Sequence, residues 1–302
     1  MDRNFLQLLI VKTNFPEEAR QELLRCAGRL AECGQEEALD GAVEFFYEHD
    51  CSIKLTTPLM ESIAEESGVH LYTVWLLFLI ACAAPAQKAF AESGVDGQVF
   101  WDTFEDLKYK ALECKNVHGV WGNFVSFWYP IFYTMDIFKL GRLEYENCVY
   151  DREEPYEKSG FVLKKGDPVK SIHIPSSGEP FDEAARLASY RAAYDFFREE
   201  LHGGPLCCIC DSWLLYPENR RILAPGSNIA GFMNDFDIVD SRDDKAFGDA
   251  WRVFGPDYRK PLAELPEATS MQRAFKKHLL SGGKTGEGFG ILIFDGERIV
   301  NR

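Results

Sequence analysis

Residues 161–201 decide the fold of this chain: FVLKKGDPVKSIHIPSSGEPFDEAARLASYRAAYDFFREEL. Two short runs, FVLKK at 161–165 and VKSIHI at 169–174, are rich in residues that favour β-strands. They are joined by Gly166-Asp167-Pro168, a combination typical of a tight turn. The pattern therefore predicts a β-hairpin.

The second strand is followed by a small-residue loop and a long helix. The strand ends at Pro175, Ser176-Ser177-Gly178 follow, and Pro180 is expected in the first turn of a helix over 182–201. The helix has one apolar stripe at helical spacing, formed by Leu187, Tyr190, Tyr194, Phe197 and Leu201. Free backbone N–H groups and the positive end of the helix dipole meet at such a loop, which suits a phosphate group. An ordinary strand-to-helix connection is the alternative.

The composition predicts a protein of two domains that does not bind nucleic acid. The 302 residues are 46% hydrophobic and 27% charged, with a net charge of −15. Residues 1–136 hold 10 Lys+Arg against 21 Asp+Glu, and residues 137–302 hold 23 against 27. Nucleic-acid binding without sequence preference needs a basic face, which this charge argues against.

The hydrophobic segments predict a cytoplasmic protein without a membrane span. The N-terminal apolar run is too short for a secretory leader. The most apolar stretch, residues 71–86, contains Pro85 and is shorter than the ~20 residues that cross a bilayer.

The nine cysteines predict reduced thiols rather than disulfides or a metal site. They are scattered except for Cys207-Cys208-x-Cys210, where alternation along a strand places Cys208 and Cys210 on one face. No His–Cys pair completes a zinc site, so buried core thiols are favoured and no metal is expected.

Residues 1–136 predict a helical domain. Helices are expected over 16–33, capped by Asn14, then over 35–49, from Thr57-Pro58 to Gly68, over 70–84 and over 103–119. The helix at 70–84 is apolar almost all round and should lie at the centre. The aromatic segment 121–138 is interpreted as core or an interdomain seam, or as the wall of an apolar ligand channel.

From residue 137 the hydrophobic period changes from 3.6 to 2, which predicts a second domain over 137–302 built on a mixed β-sheet with flanking helices. The sequence predicts strands at 137–150, in the two runs already described, at 206–216, 235–240 and 246–255, and a closing hairpin at 288–300; helices are predicted at 182–201, 229–236 and 269–280. The helix 182–201 should connect two parallel strands. The fold class is therefore α+β.

IHIPSSGEPF and SYRAAYDFF, within this order of elements, resemble a bacterial acyltransferase family that joins a helical N-acyltransferase N-terminal domain to a GNAT-like C-terminal domain. The resemblance covers the whole chain, and residues 137–255 resemble the GNAT fold itself. It implies that the fourth strand, here VKSIHI, splays from the fifth, here LCCICDSWLLY, and that the phosphopantetheine arm of an acyl thioester lies in the gap. Ser176, Ser177 and Gly178 then correspond to the phosphate-binding loop.

This loop departs from the family pattern in a way that bears on the acyl donor. The usual loop has a basic residue and further glycines, whereas SSGEPF has one glycine and no basic residue. Glu179, Asp182 and Glu183 add negative charge, which suits the helix dipole but opposes a pyrophosphate. A carrier with one phosphate, such as an acyl carrier protein, fits this loop better than coenzyme A. Acyl-ACP or acyl-CoA is thus the expected co-substrate, with no permanently bound cofactor.

Acyl transfer to an amine needs a base, a donor to the developing oxyanion and a proton for the leaving thiolate. His173 on the fourth strand is the first candidate base, because imidazole titrates in the useful range. A backbone N–H near Ile174 is the candidate oxyanion donor. A strand histidine hydrogen-bonded for structure is the alternative for His173.

Glu144 and Asp211 are the second candidates for the base, and Tyr216 is a candidate proton donor to the thiolate. Both carboxylates lie within apolar strands, where burial raises the pKa of a carboxyl group. The alternative for the carboxylates is a position at a strand edge or facing solvent, and for Tyr216 it is a packing role.

These features favour an N-acyltransferase that moves an acyl group, expected to be fatty, from an acyl carrier protein or coenzyme A to a small amine. A non-catalytic GNAT-like module that binds an acyl carrier or a protein partner is the second hypothesis. A structural α+β protein is the third.

Overall fold

The computed structural model describes residues 1–302, which form two compact units. The first comprises Met1–Lys139 and Pro175–Ser177, and the second comprises Leu140–Ile174 and Gly178–Arg302. Each unit has its own buried apolar core.

The first unit is helical. Its helices are α1 (Arg3–Lys12), α2 (Glu17–Glu32), α3 (Glu36–Glu48), α4 (Ile53–Ser67), α5 (Leu71–Glu92), α6 (Gly97–Phe104), α7 (Asp106–His118) and α8 (Pro130–Tyr133). Helix α5 is the core of this unit, as its nearly uniform apolar composition predicts, and it packs against each of the other seven helices. By length and composition α5 could also cross a membrane, but 61% of its most apolar window is buried within the protein.

Several predicted helix boundaries in this unit are wrong, in most cases because proline is tolerated inside a helix when the packing repays the lost hydrogen bond. Helix α4 begins after Ser52, whose hydroxyl caps Leu55 N–H, so Pro58 lies inside it. Helix α5 continues through Pro85 to Glu92. Helix α1, capped by Asp2, was not predicted at all.

The N-cap predicted for α2 is also wrong. The N-cap residue is Pro16, which has no side-chain hydrogen bond, whereas Asn14 adopts a left-handed conformation with φ +53°. Asn14 therefore turns the chain between α1 and α2 instead of capping a helix.

The second unit is built on a mixed sheet. Its strands are β1 (Ile137–Leu140), which contains the division between the units, β2 (Leu143–Val149), β3 (Tyr156–Lys158), β4 (Phe161–Leu163), β5 (Pro168–His173), β6 (Leu206–Ser212), β7 (Asp237–Asp243) and β8 (Gly286–Phe294). Its helices are α9 (Glu183–Phe196), α10 (Arg198–Leu201), α11 (Asn219–Ile222), α12 (Asn228–Asp235), α13 (Ala250–Phe254) and α14 (Ser270–Leu280). The sheet order is β1-β2-β5-β6-β8-β7, with β3 and β4 as a separate pair. This confirms the predicted α+β class.

The predicted hairpin between the two runs of residues 161–174 is wrong. Strand β4 pairs with β3, whereas β5 pairs with β2 in the large sheet. A turn does form here, closed by Asp167 N–H donating to Lys164 O, and Pro168 begins β5. Gly166 N–H donates to Tyr150 O and Tyr150 N–H donates to Asp167 O, so the turn bonds to the end of β2. The turn therefore connects two sheets: β4, before the turn, pairs with β3, and β5, after the turn, pairs with β2.

The predicted parallel crossover is confirmed: β5 and β6 pair in parallel, and α9 and α10 lie between them in the chain. The predicted helix 182–201 is interrupted at Phe197, and its N-cap is Asp182, so Pro180 lies outside the first turn.

Three further predictions about strands are wrong. The single strand predicted over 137–150 is two strands, because Gly141 adopts φ +70° and turns the chain. Residues 250–254 form α13 instead of a strand. The closing hairpin is reduced to one bridge between Phe294 and Ile299.

Alternate glycines on β8 allow the segment after β6 to cross the sheet closely. A Cβ atom on Gly288 would lie 2.2 Å from Leu215 O, and one on Gly290 would lie 2.9 Å from the Leu215 side chain. The chain therefore turns over β8 directly after β6, and the predicted strand 206–216 ends at Ser212.

Candidate active site

The site predicted from the sequence lies where β5 and β6 separate. The two strands pair only at Lys170 with Cys208 and at Ser171 with Ile209. Beyond these pairs β5 continues to His173 without a partner on β6, and β6 continues to Ser212 paired only with β8. A parallel pair that stops while both strands continue leaves backbone groups of both strands available in the opening.

Three of the predicted site residues lie at one level across this opening. Glu144 on β2 is the direct partner of His173 on β5. His173 follows Ser171 by two residues and Asp211 follows Ile209 by two, so His173 and Asp211 share one level and one face of the sheet. The opposite face carries Tyr145, whose hydroxyl bonds to Ser189 Oγ on α9 at 3.0 Å. The three titratable side chains therefore lie on the face away from α9.

A fourth side chain, Glu146, contacts His173 and was missed by sequence reasoning. Its Oε2 lies 2.7 Å from Nε2 of His173, and the two side chains are 25% and 27% exposed. Glu144 is 2% exposed and so is the most buried carboxylate of this face. The signal was present in the sequence Leu-Glu-Tyr-Glu, because alternate residues of a strand share a face, but only the side-chain contact shows that Glu146 and not its neighbour Glu144 reaches His173.

Asp211 is tied to the neighbouring strands through Arg242. Both of its carboxylate oxygens accept from Arg242 Nη1, at 3.1 and 2.9 Å, and Arg242 also pairs with Glu287. The hydrogen bond to Asp211 raises the pKa of Arg242, whereas burial raises the pKa of Glu287. Asp211 is therefore held as one half of an ion pair at the edge of the opening.

Tyr216 does not lie with the other candidates. It follows the end of β6 and its hydroxyl donates to Asp243 Oδ1 at 2.7 Å. Burial and this carboxylate raise the pKa of Tyr216 to about 12. Asp243 pairs with Gly286 whereas Asp211 pairs with Phe289, so Tyr216 is bound about 10 Å further along β8.

The predicted phosphate loop is divided between the two units. Ile174 and Gly178 belong to the second unit, whereas Ser176 and Ser177 belong to the first. Within the first unit, Ser176 Oγ donates to Glu113 Oε1 at 2.5 Å. The hydroxyl of Ser176 is thus engaged by a carboxylate.

The N-terminus of α9 is capped by its own chain. Asp182 Oδ1 accepts from Ala185 N–H at 2.9 Å, and Glu183 lies in the first turn. These carboxylates complement the helix dipole themselves.

The structure contains no group of three or more His, Cys, Asp or Glu side chains placed to hold a metal ion. All nine cysteines are free thiols, and Cys208 and Cys210 are both fully buried on one face of β6.

Comparison with known proteins identifies two domains that together cover nearly all of the chain. Residues 4–135 match the model of an N-acyltransferase N-terminal domain, and residues 137–292 match that of a GNAT-like C-terminal domain. No curated protein sequence matches the chain significantly.

The fold is similar to that of solved acyltransferase structures. One acyltransferase, in complex with decanoyl-CoA and teicoplanin, has a TM-score of 0.75 at 21% identity, over 95% of this chain and 87% of that chain. A variant with one tryptophan replaced by alanine, in complex with octanoyl-CoA, has a TM-score of 0.73 with the same identity and coverage. An acyltransferase in complex with CoA and 10C-teicoplanin has a TM-score of 0.72 at 21% identity, over 94% of this chain and 86% of that chain.

The helical first unit, the splayed β5–β6 pair and the two matched domains lead to one assignment: this chain belongs to the acyltransferase family that joins an N-acyltransferase N-terminal domain to a GNAT-like C-terminal domain.

Proposed function

We propose that this protein is an N-acyltransferase that moves a fatty acyl group from a thioester to an amine. The observation that carries the proposal is the opening between β5 and β6, which has Glu144, His173 and Asp211 at one level on one face. The unpaired strand edges offer hydrogen bonds to the amide groups of a pantetheine arm. The titratable side chains lie where the thioester carbon would meet an amine.

Acyl-CoA is the favoured donor, because structures of similar fold hold decanoyl-CoA and octanoyl-CoA. An acyl carrier protein is the alternative donor, supported by the acidic cap of α9 and the absence of a basic residue in the Ser176–Gly178 loop. Both carriers present the same phosphopantetheine arm, so the opening serves either. Ile174 and Gly178, which belong to the second unit, are proposed to contact this arm.

The reaction is one of amide formation. The amine nitrogen attacks the thioester carbonyl carbon, the C–N bond forms and the C–S bond breaks. His173 accepts the proton that the amine loses and passes it to the leaving thiolate. A backbone N–H near Ile174 stabilises the oxyanion.

The two carboxylates and Tyr216 differ in how well they are placed to take part in proton transfer. Glu144 faces His173 across the ladder, whereas Asp211 is held by Arg242 and Tyr216 donates to Asp243. We therefore propose His173 as the base. Glu144 and Asp211 are proposed to contribute negative electrostatic potential where the amine binds. Tyr216 takes no part in this step.

The proposal is tested by incubating the protein with paired thioesters and amines and detecting new amides by mass spectrometry. The donors are decanoyl-CoA, octanoyl-CoA and the same acyl groups on an acyl carrier protein, and the acceptors are mixed small amines. Mass spectrometry is needed because nine free thiols would disturb an assay of thiol release. An amide that requires the protein supports the proposal and names both substrates.

Intact thioesters with every pair would contradict the proposal. Binding of the acyl carrier without turnover would instead favour the non-catalytic module.

A further inference from the structure

The contact between Glu146 and His173 bears on the protonation of the imidazole ring as well as on its position. We infer that Glu146 is a positioning residue that holds the proton of neutral His173 on Nε2, so that Nδ1 carries the lone pair and takes the proton of the acceptor amine. This inference rests on the proposed function for the role of Nδ1, whereas the proton on Nε2 follows from the contact with Glu146.

The chemistry of the contact allows one assignment of the proton. A carboxylate has only acceptor oxygens, so the 2.7 Å contact between Glu146 Oε2 and His173 Nε2 requires a proton on that nitrogen. Neutral imidazole carries one proton, which leaves the lone pair on Nδ1. The length is that of a charge-assisted hydrogen bond.

The register of β2 and β5 explains why Glu146, and not Glu144, makes this contact. Glu144 is directly opposite His173, whereas Glu146 is opposite Ser171 and diagonal to His173. Diagonal pairs in an antiparallel ladder are within reach of long side chains, and the small Ser171 leaves space for Glu146 to lean towards the ring. The other titratable groups on this face include Glu144 and Cys148 of β2, Cys207 and Asp211 of β6, and the Arg242–Glu287 pair beside Asp211.

A glutamine at position 146 separates the positioning role from a merely structural one. Its amide has the shape of the glutamate but carries N–H donors, so it can also donate to Nε2 and permit a proton on Nδ1. A base whose lone pair is on the wrong nitrogen accepts no proton, which is how a carboxylate-to-amide change disables a histidine in other enzymes. We expect Glu146→Gln to lower kcat at least ~10-fold with KM within about threefold.

The decisive measurement is the tautomer of His173 in the full chain, read from two-bond ¹H–¹⁵N correlations of histidine-labelled protein above the histidine titration range. The His173→Ala spectrum identifies the His173 signals among those of the six histidines. The wild-type protein should show a protonated Nε2 and an unprotonated Nδ1. Glu146→Gln should show a mixture of tautomers or the opposite one, and Glu157→Gln, an exposed strand glutamate of the same unit, should match the wild type.

Each outcome has a separate meaning. A proton on Nδ1 in the wild type, or an unchanged tautomer in Glu146→Gln, would overturn the inference. The expected tautomers with unchanged kcat in Glu146→Gln would overturn the role of Nδ1 as base. The expected tautomers without amide product from any substrate pair would overturn the proposed function and leave the tautomer assignment standing.

Discussion

Glu144 and His173 are direct partners across the antiparallel β2–β5 ladder, on the sheet face that points away from α9. Glu144 is nearly fully buried, and His173 stands at the end of β5 where that strand has lost its partner on β6. The last residue of a splayed strand can thus present an imidazole to the opening while the sheet holds its backbone.

Replacing His173 with alanine should lower turnover at least ~10-fold, because loss of a general base typically costs ~10²–10⁴-fold. The side chain is 27% exposed, so its loss should leave folding intact. Initial rates of amide formation measure the first effect and the thermal unfolding midpoint measures the second. A rate equal to that of the wild type would remove His173 from the mechanism.

Replacing Asp211 with asparagine should lower turnover less than His173→Ala does, by less than ~10-fold. Its carboxylate is engaged by Arg242 and about two-fifths of the side chain is exposed, so it is a poor candidate for the proton acceptor. The same rate assay compares the two variants. A greater loss in Asp211→Asn than in His173→Ala would exchange their roles.

The buried pair of Arg186 and Asp235 should be essential for the stability of the second unit. Arg186 Nε lies 2.6 Å from Asp235 Oδ2, and that oxygen also accepts from the Tyr190 hydroxyl at 3.0 Å. Asp235→Ala leaves a buried guanidinium without its carboxylate and should lower the free energy of unfolding by ~3–5 kcal/mol.

The exposed pair of Arg198 and Asp195 supplies the control for this prediction, because Asp195→Ala should cost less than ~1 kcal/mol. Urea unfolding curves measure both variants. Equal midpoints for the two would show that the buried pair adds nothing beyond a surface pair.

Replacing Gly288 with alanine should destabilise the sheet by ~1–3 kcal/mol, because the new Cβ atom would lie 2.2 Å from the backbone oxygen of Leu215. The matched control is Gly226→Ala, where no atom lies within 4 Å of the new Cβ and the effect should stay within ~0.5 kcal/mol. Chemical unfolding again gives the comparison. A harmless Gly288→Ala would mean that the segment after β6 does not cross β8 so closely.

Most of the thiols should react slowly in the native protein. Burial raises the pKa of Cys26, Cys51, Cys148 and Cys207 to about 11, which leaves little thiolate at pH 8. Cys33 is partly exposed and should react first with a disulfide reagent, at a rate ~100-fold above these four. Loss of the fast phase in Cys33→Ser checks the assignment, whereas a fast phase that persists would contradict it.

The sequence predicted some of the elements that depend on local signals. The helices now numbered α12 and α14 were predicted, and Gly68 ends α4 in a left-handed conformation as its residue type indicates. The parallel β5–β6 pair followed in the same way, because a helix between two strands favours a crossover.

Strand partners could not be predicted in the same way, because they depend on contacts between distant residues. The turn at Gly166-Asp167-Pro168 is real, but nothing local shows that β5 pairs with β2 rather than with β4. The contact of Glu146 with His173 follows only from that pairing. For the same reason the site candidates Glu144, His173 and Asp211 came from residue type, and their common level became visible only in the register.

We propose that the acyl thioester binds in the opening between β5 and β6, and a crystal structure with a non-hydrolysable thioether analogue of decanoyl-CoA tests this most directly. We predict that the pantetheine arm lies beyond the Ser171–Ile209 pair, that it bonds to the backbone of residues 172–174, and that the carbonyl carbon lies on the face of His173. An analogue that binds elsewhere and leaves the opening between β5 and β6 empty would contradict this proposed binding site.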